Sequence, residues 1–303
     1  LRQWNVSFRR KKAWIGGKMT KKEVFFAAKE ILQPFCGEYA AQEARFLLEF
    51  LCGCDHTDLL LHGEEPVAEE QGNRLLSAAH KRAQGYPLQY LTGRTLFLGI
   101  PLFVGEGVLI PRSDTEFAVM RAVELMRGRP HPVVADLCSG TGCIALAMEQ
   151  EVPDADYYAV EWEPKACFYL EKNIGSLRSG VRAIRADVTV RKSAAFLPEC
   201  DLIVSNPPYI REGERGLMGK DVLAYEPESA LFAGENGMYF YRKIIENFLP
   251  VLKPEGYFVF EIGFSQGKEI QELLADSGMD EIRIEQDFSG NDRVASARKR
   301  GNR

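Results

Sequence analysis

The chain has 303 residues, enough for one large domain or two modest ones. Apolar residues make up 46% and charged residues 27%, an ordinary globular balance, and the net charge of -5 disfavours a protein whose main work is gripping nucleic acid. The seven cysteines form no repeated framework, which fits a reducing cytoplasm better than a disulfide scaffold, and no apolar run approaches the length of a membrane span.

Residues 1–18 carry Arg9-Arg10-Lys11-Lys12 with no apolar signal core behind it, and are expected to be disordered or an extended or misassigned start. From Met19 a helical domain is predicted over 19–94. Val24, Ala27, Ala28, Ile31 and Leu32 lie on one stripe of a helix broken by Pro34 and Gly37. Ala40 to Leu51 repeats the pattern, Asp55 is placed to cap a short helix through Leu61, and Pro66 to Gln84 gives a longer one ended by Gly85. Cys52, Cys54, His56 and His62 invite a metal reading. Cys-x-Cys is not a zinc spacing, however, so helix core and loop is the better account and no metal site is predicted.

Residues 95–110 turn short, apolar and β-rich, with Gly99, Gly105 and Gly107 as turn points, and predict a β-hairpin linker. In Pro111 to Glu116, Ser113 or Asp114 is placed to cap a helix running to about Arg127. After Pro132 strands and helices alternate. Strands are predicted near 133–137, 157–161, 183–186, 201–205 and 257–262, with two more near 282–286 and 293–297 to close the sheet. The fold class over 111–303 is therefore α/β: a Rossmann-like, doubly wound, mostly parallel sheet that binds ligands outside the carboxyl ends of its strands.

The chemistry gathers at those ends. Asp136-Leu137-Cys138-Ser139-Gly140-Thr141-Gly142 joins the first strand to a helix N-terminus, and its glycines allow close backbone approach to a ligand. It lacks lysine, which excludes a P-loop. Glu161 ends the second strand, where a carboxylate accepts ribose hydroxyls; Asp187 follows the third, where a carboxylate can receive an adenine amino group. Each alone reads as a solvated loop acid, but together they favour a nucleoside cofactor. Asn206-Pro207-Pro208-Tyr209 ends the fourth strand. Alone it is a stiff turn or a clamp for a planar NH2 group, adenine and glutamine amide being equally good guests.

The ordered set resembles the HemK/PrmC family, the release factor glutamine N5-methyltransferases within the class I S-adenosylmethionine-dependent enzymes. It comprises Gln89-Tyr90-Leu91-Thr92-Gly93, Phe97 with Gly99, Val108 to Glu116, Asp136 to Leu146, Asn206 to Ile210, Tyr225-Glu226-Pro227 with Ala230-Leu231, Gly237, Tyr241-Arg242, Glu261-Ile262-Gly263, Gln266-Gly267, and Asp287 through Gly290 with Asp292-Arg293-Val294. The resemblance implies methyl transfer from S-adenosyl-L-methionine to the glutamine of the Gly-Gly-Gln motif in class I peptide chain release factors. It implies that the N-terminal helices hold the release factor. It implies cofactor contacts at Cys138, Ser139, Gly140, Thr141, Gly142, Glu161, Asp187, Val188 and Asn206. Asn206, Pro207, Pro208 and Tyr209 would take the amide, with Asn206, Pro207 and Tyr209 catalytic, and Phe97, or failing it Phe103, would wall the pocket from the hairpin, core packing being the alternative. Arg112 and Glu116 would either order the site's edge or form a plain helix-entry ion pair. Cys138 departs from a common glycine, and Val188 stands where some relatives carry an aromatic residue. A cytoplasmic monomer without membrane or specific nucleic-acid binding is expected. The competing readings are a ribosomal-protein glutamine methyltransferase, a DNA adenine methyltransferase, which calls for a basic recognition domain absent here, and a non-catalytic adaptor of the same fold.

Overall fold

The computed structural model describes residues 19–301, so the expectation for residues 1–18 lies outside the described residues. The chain divides into two compact units between Thr92 and Gly93.

The first unit is helical. α1 (Lys21–Cys36) opens with a capping box: the Thr20 hydroxyl accepts from the Glu23 amide, and the Glu23 carboxylate accepts from the Thr20 amide. Pro34 lies inside the last turn rather than breaking the helix, because one missing donor near a helix end is tolerable; Gly37 at φ 55° ends it. α2 (Ala40–Cys52), α3 (His56–Leu61), α4 (Glu69–Arg82) and α5 (Leu88–Thr92) follow. Asp55 caps α3 by accepting from the Asp58 amide at 2.7 Å. α4 starts later than predicted, since Pro66 is held extended in a bridge to Thr20. Val24, Ala28, Leu32, Leu47, Leu48 and Leu75 form the core, and Arg82 joins α4 to Glu43 of α2 at 2.7 Å. Cys54 is buried beside Asp58, its thiol pushed up to about 12 mainly by burial. Among the described residues no group of three or more His, Cys, Asp or Glu could hold a metal ion.

The second unit starts with the antiparallel hairpin β1 (Arg94–Phe97) and β2 (Ile100–Phe103). Leu98 and Gly99 both have positive φ, the two-residue turn that matches strand twist. Residues 95–110, expected as a linker, lie within this unit. α6 (Thr115–Met126) receives no side-chain cap from Asp114, whose backbone is already helical and whose carboxylate instead faces Arg293 at 3.3 Å; Ser113 offers only its carbonyl, to the Glu116 amide.

The central sheet comprises β3 (Val133–Leu137), β4 (Asp156–Glu161), β5 (Arg182–Arg185), β6 (Cys200–Ser205), β7 (Leu252–Glu261), β8 (Met279–Gln286) and β9 (Asp292–Lys299), in the order β5-β4-β3-β6-β7-β9-β8. The first five strands are parallel, and β9 runs antiparallel to both β7 and β8. The helices are α7 (Cys143–Glu151), α8 (Pro164–Leu177), α9 (Lys220–Tyr225), α10 (Tyr239–Phe248) and α11 (Gly267–Asp276). Both sheet faces are covered, which is why the inner strands read as continuous apolar runs. Val134, Leu202, Val204 and Val259 pack with α6, α7 and α8; Ala135, Ile203, Phe258 and Phe260 pack with α10 and α11.

One buried amide ties the hairpin to this layer. Asn173 on α8 is fully buried; its Oδ1 accepts from the Phe103 amide at 2.6 Å, and its Nδ2 donates to the carbonyls of Phe103 at 3.1 Å and Thr141 at 3.0 Å. Asn173→Ala leaves these backbone groups buried without partners and is expected to cost about 3 kcal/mol in denaturant unfolding. A loss below about 1 kcal/mol would show that water takes over the three bonds.

Candidate functional site

β3 and β6 are neighbours across the point where strand order reverses, the place where open α/β sheets bind ligands. Their register pairs Leu137 with Ser205, and the Ser205 hydroxyl donates to the Leu137 carbonyl at 2.6 Å. The two following turns, Cys138 to Gly142 and Asn206 to Tyr209, therefore emerge side by side. Between them lies a cavity of about 330 Å³. Cys138, Ser139, Gly140, Thr141, Glu161, Asp187, Val188, Asn206 and Pro208 line it, while Gly142 sits one step behind as the N-cap of α7.

The glycine-rich loop is tightly built. Gly142 has φ 81°, and a Cβ there would lie 2.6 Å from Leu170 Cδ1. Cys138 takes φ 58°, a conformation that costs a non-glycine residue about 1–3 kcal/mol. Ser139 Oγ donates to the Asp136 carbonyl at 2.6 Å. Glu161 accepts from three backbone amides, Gly140 through Oε2 and Trp162 and Glu163 through Oε1, all at 2.8 Å. Burial raises its pKa and those amides oppose the rise. Asp187 Oδ1 accepts from the Thr189 amide and hydroxyl, and the Val188 carbonyl accepts from Asn247 Nδ2 at 3.0 Å. Burial pushes the Cys138 thiol well up and the Cys143 thiol up to about 12, away from the thiolate form.

The Asn206 turn is held at both ends, by the cavity-lining Thr115 and by groups that do not line the cavity. Asn206 Nδ2 donates to Thr115 Oγ1 at 3.1 Å. The Tyr209 hydroxyl donates to Glu261 Oε1 at 3.1 Å, and the Tyr209 carbonyl accepts from Gln266 Nε2 at 3.0 Å. Gln266 Oε1 in turn accepts from the Gly263 amide at 2.9 Å. Gly237, at φ 85°, lies against this grip; a Cβ there would collide with the Tyr209 carbonyl and with Gln266 Nε2.

Several expected site residues do not line the cavity. The Tyr209 ring does not line the cavity; its hydroxyl is drawn to the buried Glu261, which makes it an anchor of the turn. Pro207 is buried and, unlike Pro208, is not among the cavity-lining residues. Phe97, 2% exposed, is a core side chain packed with Ile100 and Leu102, because it is the inward-facing residue of β1. The Phe103 ring instead stacks under Lys172 Nζ at 4.0 Å and also does not line the cavity. Arg112 pairs with the buried Glu226, not with Glu116; Glu226 Oε2 also accepts from the Ile110 amide at 3.2 Å. That carboxylate pins the Pro227 to Ala230 side of the cavity to the Val108 to Pro111 side. Aromatic lining comes from Trp162, Tyr239 and Phe240, which the sequence reading did not single out. Trp162 had a signal, its place next to Glu161; the other two had none beyond a helical pattern.

The chain was compared with known proteins. Residues 24–93 match the family model of the PrmC N-terminal domain, and residues 120–228 that of the methyltransferase small domain. A release factor glutamine methyltransferase of Salmonella typhimurium is 37% identical over 85% of this chain and 91% of its own length. The chain belongs to the release factor glutamine methyltransferase family. A second member, from Clostridium acetobutylicum, is 31% identical over 93% of this chain and its entire length. The fold itself recurs in a methyltransferase crystal structure from Pyrococcus furiosus, with TM-score 0.51 at 18% identity over 68% of this chain and 91% of that one.

Beneath the glycine loop this family member buries Asp136 completely. Oδ2 accepts from the Ala145 amide at 3.2 Å, Oδ1 has no hydrogen-bond partner among the described residues, and burial raises the pKa from 3.8 to about 8. Between pH 3.8 and about 8 the folded state therefore holds a proton that the unfolded state has released. Asp136 favours folding fully below its unfolded pKa, and that contribution is lost as pH rises toward about 8. Asp136→Asn is expected to flatten the fall in thermal midpoint between acid and pH 8. Parallel curves for the two proteins would remove Asp136 from the pH dependence.

Proposed function

We propose that this protein transfers a methyl group from S-adenosylmethionine to the N5 side-chain amide nitrogen of the glutamine in the Gly-Gly-Gln motif of class I peptide chain release factors, in the cytoplasm. The observation that carries the reading is the juxtaposition of the glycine-rich loop and the Asn206 turn in one cavity at the reversal point of the sheet. The seven thiols, all unpaired, suit a reducing compartment.

The residues present fit the cofactor. A carboxylate has about four acceptor sites, and backbone amides use three on Glu161, which leaves one on Oε2 for a ribose hydroxyl. Asp187 spends Oδ1 on Thr189, which leaves Oδ2 for a donor such as an adenine amino group. Trp162, Phe240 and Val188 supply apolar surface in the same cavity. When bound, S-adenosylmethionine supplies an activated methyl group.

The chain's own part is to hold the amide. An amide nitrogen is a poor nucleophile because its lone pair is delocalised. Asn206 Oδ1 and the Pro207 carbonyl are the acceptors for its two N–H groups; holding them fixes the nitrogen and favours its pyramidal form. Pro207 and Pro208 stiffen the turn by fixing φ. No strong general base is needed, since a methylated, positively charged nitrogen releases its proton readily. The helical first unit is the part we assign to holding the release factor.

Labelled S-adenosylmethionine with a purified release factor is the test. Label is expected on the wild-type factor and not on one with Gln→Ala in its Gly-Gly-Gln loop; equal label on both would sink the reading. Asn206→Ala is expected to lower kcat about 100-fold while calorimetry shows cofactor affinity changed only severalfold. Unchanged turnover in that variant would remove Asn206 from the mechanism.

A further inference from the structure

We propose that Gln266 is a positioning residue for methyl transfer. Its side-chain amide holds the Tyr209 end of the Asn206 turn, so that Asn206 Oδ1 and the Pro207 carbonyl stay where the glutamine amide needs them. This rests on the methyl-transfer reading above and goes beyond it, because Gln266 does not line the cavity.

Gln266 stands just before α11 and is 2% exposed. Its backbone is fixed by the turn after β7: its amide donates to the Gly263 carbonyl at 2.9 Å, and its carbonyl accepts from the Ile270 amide at 3.0 Å. Its side chain then bridges that turn to a segment 57 residues away. Oε1 accepts from the Gly263 amide at 2.9 Å, and Nε2 donates to the Tyr209 carbonyl at 3.0 Å. Each partner has one polarity, since a backbone N–H only donates and a carbonyl only accepts. The two bonds therefore fix which end of the Gln266 amide meets which segment. Glycines clear the space on either side. A Cβ at Gly263 would lie 2.9 Å from Gln266 Oε1, and one at Gly237 would collide with Gln266 Nε2 and with the Tyr209 carbonyl.

The turn transmits what happens at Tyr209. Proline rings fix φ at 207 and 208, and Asn206 and Pro207, each followed by a proline, are confined to extended backbone. A segment this short and stiff moves as a unit. Its far end is held by the bond from Asn206 Nδ2 to Thr115 Oγ1 at 3.1 Å. At the near end, the peptide joining Tyr209 to Ile210 is pinned through both its groups: Gln266 holds the carbonyl, and the Ile210 amide donates to the Leu231 carbonyl at 2.9 Å. The Tyr209 hydroxyl, bonded to Glu261 at 3.1 Å, fixes the ring. Without Gln266 the peptide can pivot about the Ile210 bond, and the stiff turn carries the pivot back to Pro207 and Asn206. A shift of about 1 Å at a reacting group can cost about 100-fold in rate. Glu161 and Asp187 take no part in this linkage, so cofactor binding is spared.

The test measures kcat and KM for release factor methylation in two variants, with cofactor affinity by calorimetry alongside. Gln266→Met keeps the bulk and removes both bonds. Gly263→Ala crowds Gln266 Oε1 from a position without positive φ. Both are expected to lose about tenfold in kcat, with KM for the release factor and cofactor affinity within about threefold. Wild-type kcat in Gln266→Met overturns the proposal. So does a fall matched by an equal loss of cofactor affinity, which describes a residue that only supports the fold. If Gln266→Met does not fold, Gly263→Ala decides on the same terms. If the wild type leaves the release factor unlabelled, the methyl-transfer reading falls instead, and the proposal is judged by hydrogen exchange at the Ile210 amide. Gln266→Met is expected to speed that exchange about tenfold while the Gly140 amide, held by Glu161, exchanges as in wild type. An unchanged Ile210 rate overturns the proposal.

Discussion

The pairing of Leu137 with Ser205 is the constraint on which the site depends. Sixty-eight residues separate the two in sequence, and one cross-strand bond at 2.6 Å closes the distance. A strand's side chains alternate faces, so a slip of one residue would carry Asn206 away from the glycine loop and turn Ile203 from one core into the other. The slip is prevented because both faces are committed. Val204 is claimed by the α6–α8 layer and Ile203 by the α10–α11 layer. Packing far from the cavity thus sets the geometry within it.

Around that register several buried polar side chains bond to backbone. Glu161 binds three amides, Asn173 bonds both backbone groups of Phe103, Gln266 joins Gly263 to Tyr209, and Asn247 holds Val188. Each side chain is satisfied by main chain, so each fixes a loop in place at the end of a strand. Carboxylates left with fewer donors, Asp136 and Glu261, have pKa values raised to about 8 and about 7. The same burial that gives the loops their precision makes those two groups sensitive to pH in the neutral range.

Much of the fold was legible in the residues. Alternation of apolar runs with helical stripes located every strand of the sheet, and the mostly parallel order follows from that alternation. The cavity-lining acids and glycines were legible because they fall where strands end. Side-chain direction was not. Phe97 reads as a pocket wall and proves to be core; Tyr209 reads as a residue that takes the amide, and its hydroxyl is tied to Glu261. Asp114 reads as a helix cap but is drawn to Arg293, and Arg112 reads as a partner of Glu116 but finds Glu226. In each case a long-range charge or a core vacancy outcompeted the local choice that sequence spacing favours.

The residues by themselves determined the class of fold, the order of its elements and the chemical types available at each strand end, because periodicity and turn chemistry are local. The ordered motifs also carried the family. Only the tertiary structure decided which of those residues share a cavity, which way each ring and amide points, and which carboxylates are buried. Those outcomes depend on strand register and on partners more than a hundred residues away, as with Arg112 and Glu226 or Asp114 and Arg293. No local pattern encodes them, since each is a competition among contacts that exist only once both layers have closed on the sheet.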